Sequence, residues 1–165
     1  MREPKSSRPQ IPDYGIPTTE EGMLPWSYVQ DRMREAINYW VSTASLNGQP
    51  HATPVWGIWL EDILYFDGSP RTRRGRDLAA NPRVSIHLED GTRAVMLEGN
   101  AVELTRPALS LRQTLSAAYT QKYAERGYSP GPETWESGGL YRFEPRVAFA
   151  WTQFPADTTR WHFEE

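Results

Sequence analysis

At 165 residues and a formal net charge of -3, the chain has the length of one domain with a real core, and its acidity argues against general nucleic-acid binding. It has no Cys, which removes disulfides, thiolate catalysis and Cys-based zinc sites, and fits a cytoplasmic protein. Seven Trp, eight Tyr and five Phe are a heavy aromatic load that a core, a ligand or a partner surface must cover.

Residues 1–24 carry charges and four prolines without an apolar h-region, so they read as an extended or disordered arm that wraps a partner subunit and not as a signal peptide. Residues 25–165 form the domain. No apolar run approaches ~18 residues, so no membrane span is expected. A first helix is marked by capping-box spacing at Ser27-Tyr28-Val29-Gln30, with Trp26 as a staple and Val29, Met33, Ile37 and Trp40 at helical spacing. The pattern turns strand-like over 40–45, and Asn47-Gly48 follows, a hairpin signal in which both residues take positive φ. The return strand runs over 50–60, interrupted by Pro54, which cannot donate to a ladder. Glu61-Asp62 leads into a third strand over 63–67.

Next come Gly68-Ser69-Pro70, the basic run Arg71-Thr72-Arg73-Arg74-Gly75-Arg76, and a short helix from Asp77 that Asn81-Pro82 stops. Strands are expected over 83–89 and 94–104. Thr105 caps a helix with the stripe Leu111, Leu115, Ala118, Tyr119 and Tyr123. A Pro/Gly-rich loop over 128–139 precedes a last long strand over 140–152. Successive hairpins without βαβ periodicity give a mainly β fold with helices, an antiparallel barrel of about six strands.

Four arginines in six positions at a strand-to-helix turn form an anion clamp: guanidinium forks grip phosphate, and without an anion they oppose the helix dipole. Ser69 adds a hydroxyl and loop amides beside them. The alternative is a solvated basic helix start. Trp56 and Trp59 flank Gly57 as core and dimer face or as a wall for a flat ring. No dinucleotide, P-loop or hydrolase motif is present, and His51, His87 and His162 have no metal-ligand spacing.

Together these residues resemble the pyridoxamine 5′-phosphate oxidase-like split-barrel flavin and deazaflavin oxidoreductases. The resemblance runs through 40–44, Asn47 to Trp56, Tyr65-Phe66, 72–84 and Leu97-Glu98-Gly99-Asn100-Ala101, with a looser match over 140–151. It implies a six-stranded split β-barrel of the FMN-binding type. It also implies that Thr72-Arg73-Arg74 hold the cofactor phosphate, Ser69 and Arg71 assist, and His51, Thr53, Val55 and Trp56 line the ring. A homodimer would complete each site through the C-terminal segment, where Trp151, Arg160 and Trp161 are candidates. The second strand departs from true oxidases, since Thr53 and Ile58 align with their Arg and Lys. The pattern Thr53-Pro54-Val55-Trp56 is closer to users of the deazaflavin F420, with FMN users among them. Arg160-x-His162 lacks the motif around the oxidases' substrate-binding Arg-x-His and is read as coincidence. The implied activity is hydride transfer between F420 (preferred) or FMN and a small conjugated substrate, without metal, membrane or nucleic acid. The alternative is a non-catalytic flavin- or deazaflavin-binding protein.

Overall fold

The computed structural model describes residues 3–164; positions 1, 2 and 165, which fall in the expected arm and domain, lie outside the described residues. Among the described residues the elements are β1 (Lys5–Ser7), α1 (Trp26–Glu35), β2 (Tyr39–Ala44), β3 (Pro50–Val55), β4 (Gly57–Leu60), β5 (Ile63–Asp67), α2 (Arg73–Ala80), β6 (Arg83–His87), β7 (Val95–Leu104), α3 (Leu109–Tyr123), β8 (Leu140–Ala150) and β9 (Thr159–His162). Every pairing is antiparallel. From the path β1-β9-β8-β7-β6-β2-β3 a branch leaves at β8, where β5 pairs Leu140–Phe143 and β4 pairs β5 in turn.

The class is α+β, a mainly antiparallel sheet with three helices, but the strand count is nine, not six. The return strand breaks at Trp56 into β3 and β4, where the chain changes partner from β2 to β5; Pro54 stays inside β3, opposite Trp40, because β3 is an edge strand that tolerates a missing N–H. The hydrogen-bonded path is open at Trp56, and only the covalent chain links β3 to β4 there. The other additions are β1 and β9. Lys5–Ser7 of the expected arm pairs Arg160–His162 of the same chain.

Two apolar clusters lie on opposite faces of the β4–β5 hairpin. Tyr39, Val41, Leu64, Phe66, Ile86 and Leu97 belong to the larger one, and Ile58, Tyr65, Leu115, Tyr119 and Tyr123 to the smaller. β5 therefore reads as a continuous apolar run, as a strand covered on both faces must. Helix α3 starts at Ala108 without a side-chain cap, against the Thr105 expectation. Its stripe compensates: each fully buried Leu or Tyr is worth about 2 kcal/mol, against about 1 kcal/mol for a cap.

Helix α1 begins two residues before the start that a Ser27 cap would set. Pro25 occupies the cap position, no capping box forms, and Trp26 is buried edge-on to Trp161 and Phe163. Trp161 is therefore core (1 % exposed), not a tail residue available to a partner. Tyr39, not Trp40, continues the buried face. At the first hairpin only Gly48 is left-handed (φ 82); Asn47 instead accepts from Ser45 Oγ and Gln49 N–H through its side chain. The turn with two positive φ values is Glu61–Asp62 (51° and 60°), the tight link between β4 and β5. No helix among the described residues is long and apolar enough to cross a membrane.

Candidate functional site

The arginine run is not a loop ahead of a helix: Arg73, Arg74 and Arg76 are in α2 itself, and Thr72 is its N-cap. Thr72 Oγ1 accepts from Gly75 N–H (3.1 Å) and donates to Ser69 O (2.8 Å). Capping Gly75 leaves the Arg73 and Arg74 amides as the open donors of the first turn. Ser69 Oγ accepts from Arg71 N–H (3.2 Å), and Arg76 donates to Arg71 O (2.6 Å), so the loop is tied to the helix it feeds. Gly75 makes this possible, because a Cβ there would lie 2.5 Å from Pro70 O.

The arginines divide by surroundings. Arg74 turns inward: Nη1 donates to Thr53 Oγ1 (2.9 Å), Nη2 to Asp67 O (3.4 Å), and the guanidinium lies 5.8 Å from the Phe66 ring centroid. Its Nε is buried with no hydrogen-bond partner. Burial lowers its pKa from the ordinary value, while Tyr141 and Asp67 oppose the shift. Arg73 is half exposed, donates to Pro50 O (3.2 Å), and approaches Asp77 Oδ2 at 3.9 Å. Asp77 is buried and accepts from Thr43 Oγ1 (3.0 Å), which fastens α2 to β2. Arg71 is exposed. The result is a cation anchored to β3, with a second arginine and two helix amides beside it, a donor set that suits a phosphate.

Of the expected residues, Ser69, Arg71, Thr72, Arg73 and Arg74 thus converge with Thr53 at the α2–β3 contact. His51 is half-buried on the same face of β3, two residues from Thr53. Val55 shares that face, but its side chain is buried in the larger core. Trp56 is not beside Arg74's partners: its ring stacks on Tyr123 (4.9 Å, 12°) in the smaller cluster. Gly57 admits that approach from α3, since its N–H donates to Tyr123 Oη (3.0 Å) and its carbonyl lies 3.3 Å from Lys122 Nζ. Ile58, aligned with an oxidase lysine, is buried in the same cluster. Trp151 follows the end of β8 opposite to Leu140, which pairs Asp67 beside the turn. Along an 11-residue strand that separation is about 30 Å, so Trp151 does not meet the arginines of its own chain.

Sequence reasoning missed Asp67. Its Oδ2 accepts from the Tyr128 hydroxyl and from Trp135 Nε1 (3.1 Å), closing the 128–139 loop over a cleft of about 480 Å³ that Ser69, Pro70 and Arg71 also line. Burial, then the Asp67 carboxylate, raises the Tyr128 phenol. A carboxylate ending a strand carries no local mark of a partner 61 residues away. Sequence also gave no sign of an outward row across four strands. The register aligns Trp40, His87, Met96 and Phe149, each half-buried, with the His87 ring parallel to Trp40 at 6.2 Å. Among the described residues no group of three or more His, Asp or Glu is placed to hold a metal ion.

A family model described as pyridoxamine 5′-phosphate oxidase matches residues 29–151. No curated protein matches the chain. Solved structures share the fold at low identity. HutZ, the heme storage protein from Vibrio cholerae, is 18 % identical (TM-score 0.59), covering 75 % of this chain and 92 % of its own. An F420 reductase is 16 % identical (TM-score 0.57; 72 % and 94 % covered). A heme binding protein from Mycobacterium smegmatis is 20 % identical (TM-score 0.61; 82 % and 58 % covered).

Proposed function

The chain belongs to the pyridoxamine 5′-phosphate oxidase family, and from that premise we propose a split-barrel oxidoreductase that binds a phosphate-bearing flavin or deazaflavin, F420 in preference to FMN, and acts on a small conjugated substrate. The observation that carries this reading is Arg74, a largely buried guanidinium held by Thr53 with an unpartnered Nε and no carboxylate bonded to it. A cation in that position is costly unless an anion joins it. The preference for F420 rests on β3 and β4, where Thr53 and buried Ile58 stand in place of the oxidases' Arg and Lys.

Bound there, the cofactor supplies hydride chemistry that no side chain of this protein provides. Arg74, Arg73, Thr72 and Ser69 hold its phosphate; Thr53 fixes the direction of Arg74; His51 and the edge of β3 border the ring. His51 and Asp67 border the Arg74–Thr53 contact, neither is assigned as an acid or base, and the proton comes from solvent or from the cofactor. A second copy of the chain covers the row Trp40, His87, Met96 and Phe149 and brings Trp151 to the site. That fits both the half-exposed aromatic row and the distance of Trp151 from its own arginines.

Fluorescence titration of the purified protein with F420 and with FMN tests the cofactor, and micromolar binding of F420 alone is expected. Oxidation of reduced cofactor against a panel of quinones and enones then tests the enzyme. Tight binding with no acceptor reduced would favour the second reading, a non-catalytic binding protein. Mixing the Arg74→Ala and Trp151→Ala variants tests the pairing: random exchange should restore about a quarter of the sites. No recovery after exchange refutes it.

A further inference from the structure

The turn over 151–158 joins β8 to β9 and displays aromatic rings on a braced backbone. Trp151 and Phe154 meet edge-on at 5.3 Å, and Tyr14 from the N-terminal segment meets Phe154 at 5.7 Å. Phe154 is 40 % exposed and Tyr14 61 %. Large rings left in water on a flexible loop gain nothing. On a fixed loop they form a surface whose ordering cost is met before a partner arrives.

Two charged side chains fix this loop. Asp157 accepts from the amides of Thr152 (2.9 Å) and Gln153 (2.9 Å) and from the Thr152 hydroxyl. Burial alone would raise its carboxyl, but these hydrogen bonds outweigh it and hold the pKa below the ordinary value. Arg8 works from the other side. Its Nη1 donates to Ala156 O and Thr158 O (3.0 Å each), its Nε to Thr19 O (2.8 Å), and its Nη2 to Glu21 O. One guanidinium thus satisfies four carbonyls from two segments. Leu24 N–H adds a bond to Thr159 Oγ1 (2.8 Å), and β1 pairs β9. The N-terminal segment is a splint on the 151–158 turn of its own chain.

We infer that Arg8 and Asp157 are positioning residues for an aromatic hook, Trp151 with Phe154, that each copy inserts beside the phosphate site of a second copy. The inference rests on the shared-site reading proposed above. Trp151 is about 30 Å along β8 from its own arginine turn, out of reach of it. The outward row continues along β8 through Phe149 to Trp151, so the hook extends the face assigned to the second copy. Trp151 N–H donates to Ala94 O (3.2 Å), which seats the hook at the edge of that face.

A double-mutant cycle on the full chain separates positioning from general stability. Cofactor affinity is measured by fluorescence titration, and melting temperature in parallel, for wild type, Trp151→Ala, Arg8→Gln and the pair combined. Trp151→Ala and Arg8→Gln are each expected to weaken binding at least about fivefold, and the combined variant no more than Trp151→Ala alone, because Arg8 acts through the ring. Multiplied losses overturn the positioning role, as does wild-type affinity in Arg8→Gln when Trp151→Ala is impaired. Wild-type affinity in Trp151→Ala overturns the shared site itself, and this inference with it. Asp157→Asn takes the place of Arg8→Gln in the same cycle if the latter does not fold, with the same outcomes.

Discussion

Replacing Arg74 by Met keeps an unbranched apolar stem and removes the charge that lies over Phe66. In the free protein this deletes the bonds to Thr53 Oγ1 and Asp67 O, at about 1 kcal/mol each. It also relieves the desolvation of a guanidinium whose Nε has no partner, a penalty of the same size or larger. The two nearly cancel, so the free protein should melt within about 4 °C of wild type. In the complex the balance differs, because a charge-assisted contact to phosphate is lost outright. At about 1.5–3 kcal/mol the dissociation constant should rise roughly tenfold to a hundredfold. Titration with F420 and FMN gives the affinity, and thermal melts with and without cofactor give the stability. Affinity within twofold of wild type in a folded variant refutes the clamp. Equal losses in the free and bound proteins would make Arg74 a structural residue only.

Gly75→Ala reverses a rule: Ala normally stabilises a helix interior by about 1 kcal/mol, yet here the new methyl would lie 2.5 Å from Pro70 O, so the variant should melt lower and bind the cofactor more weakly. Asp67→Ala strands the Tyr128 hydroxyl and Trp135 Nε1, and denaturant unfolding should report a loss of about 1–3 kcal/mol. Lys122 is pushed down to about 8 by burial against Gly57, Tyr39 and Tyr123. Its folded pKa is therefore below the unfolded one, the unfolded chain holds more protons between about pH 8 and 10.5, and stability contributed by this group rises with pH across that window. Relative to Lys122→Met, wild type should gain about 1 kcal/mol from pH 7.5 to 10, after allowance for solvent screening of a partly exposed amine. A pH-independent difference would show that the amine is already neutral or fully solvated.

The parts that the sequence made legible are those written in local chemistry. The apolar run Ile63–Phe66 between turn residues placed β5 where it lies, and the i, i+4, i+8 spacing of Leu115, Tyr119 and Tyr123 marked the buried face of α3. The sequence also marked Thr72, Arg73 and Arg74 as an anion clamp at a strand-to-helix turn, and the fold set Arg73 and Arg74 against β3. Where local signals compete, tertiary packing chose between them. Trp26 entered α1 because Trp161 and Phe163 offered it a pocket, and that outweighed the hydrogen bonds of a capping box. At Asn47-Gly48 the Asn47 side chain bonds its own turn and only Gly48 is left-handed, while the two-residue link Glu61-Asp62, forced by the pairing of Leu60 with Ile63, takes the two positive φ values.

Sequence by itself determined a mainly antiparallel α+β chain with a cationic strand-to-helix turn, since hydrophobic period, turn chemistry and charge act between neighbours. Only the tertiary structure decided which arginine turns inward, that Trp56 belongs to Tyr123, and that Arg8 grips a turn about 150 residues later. Each of those depends on which distant groups share a small volume. A carbonyl without a partner at 158 looks the same in the sequence as one already bonded, and the fold alone brings the guanidinium to it.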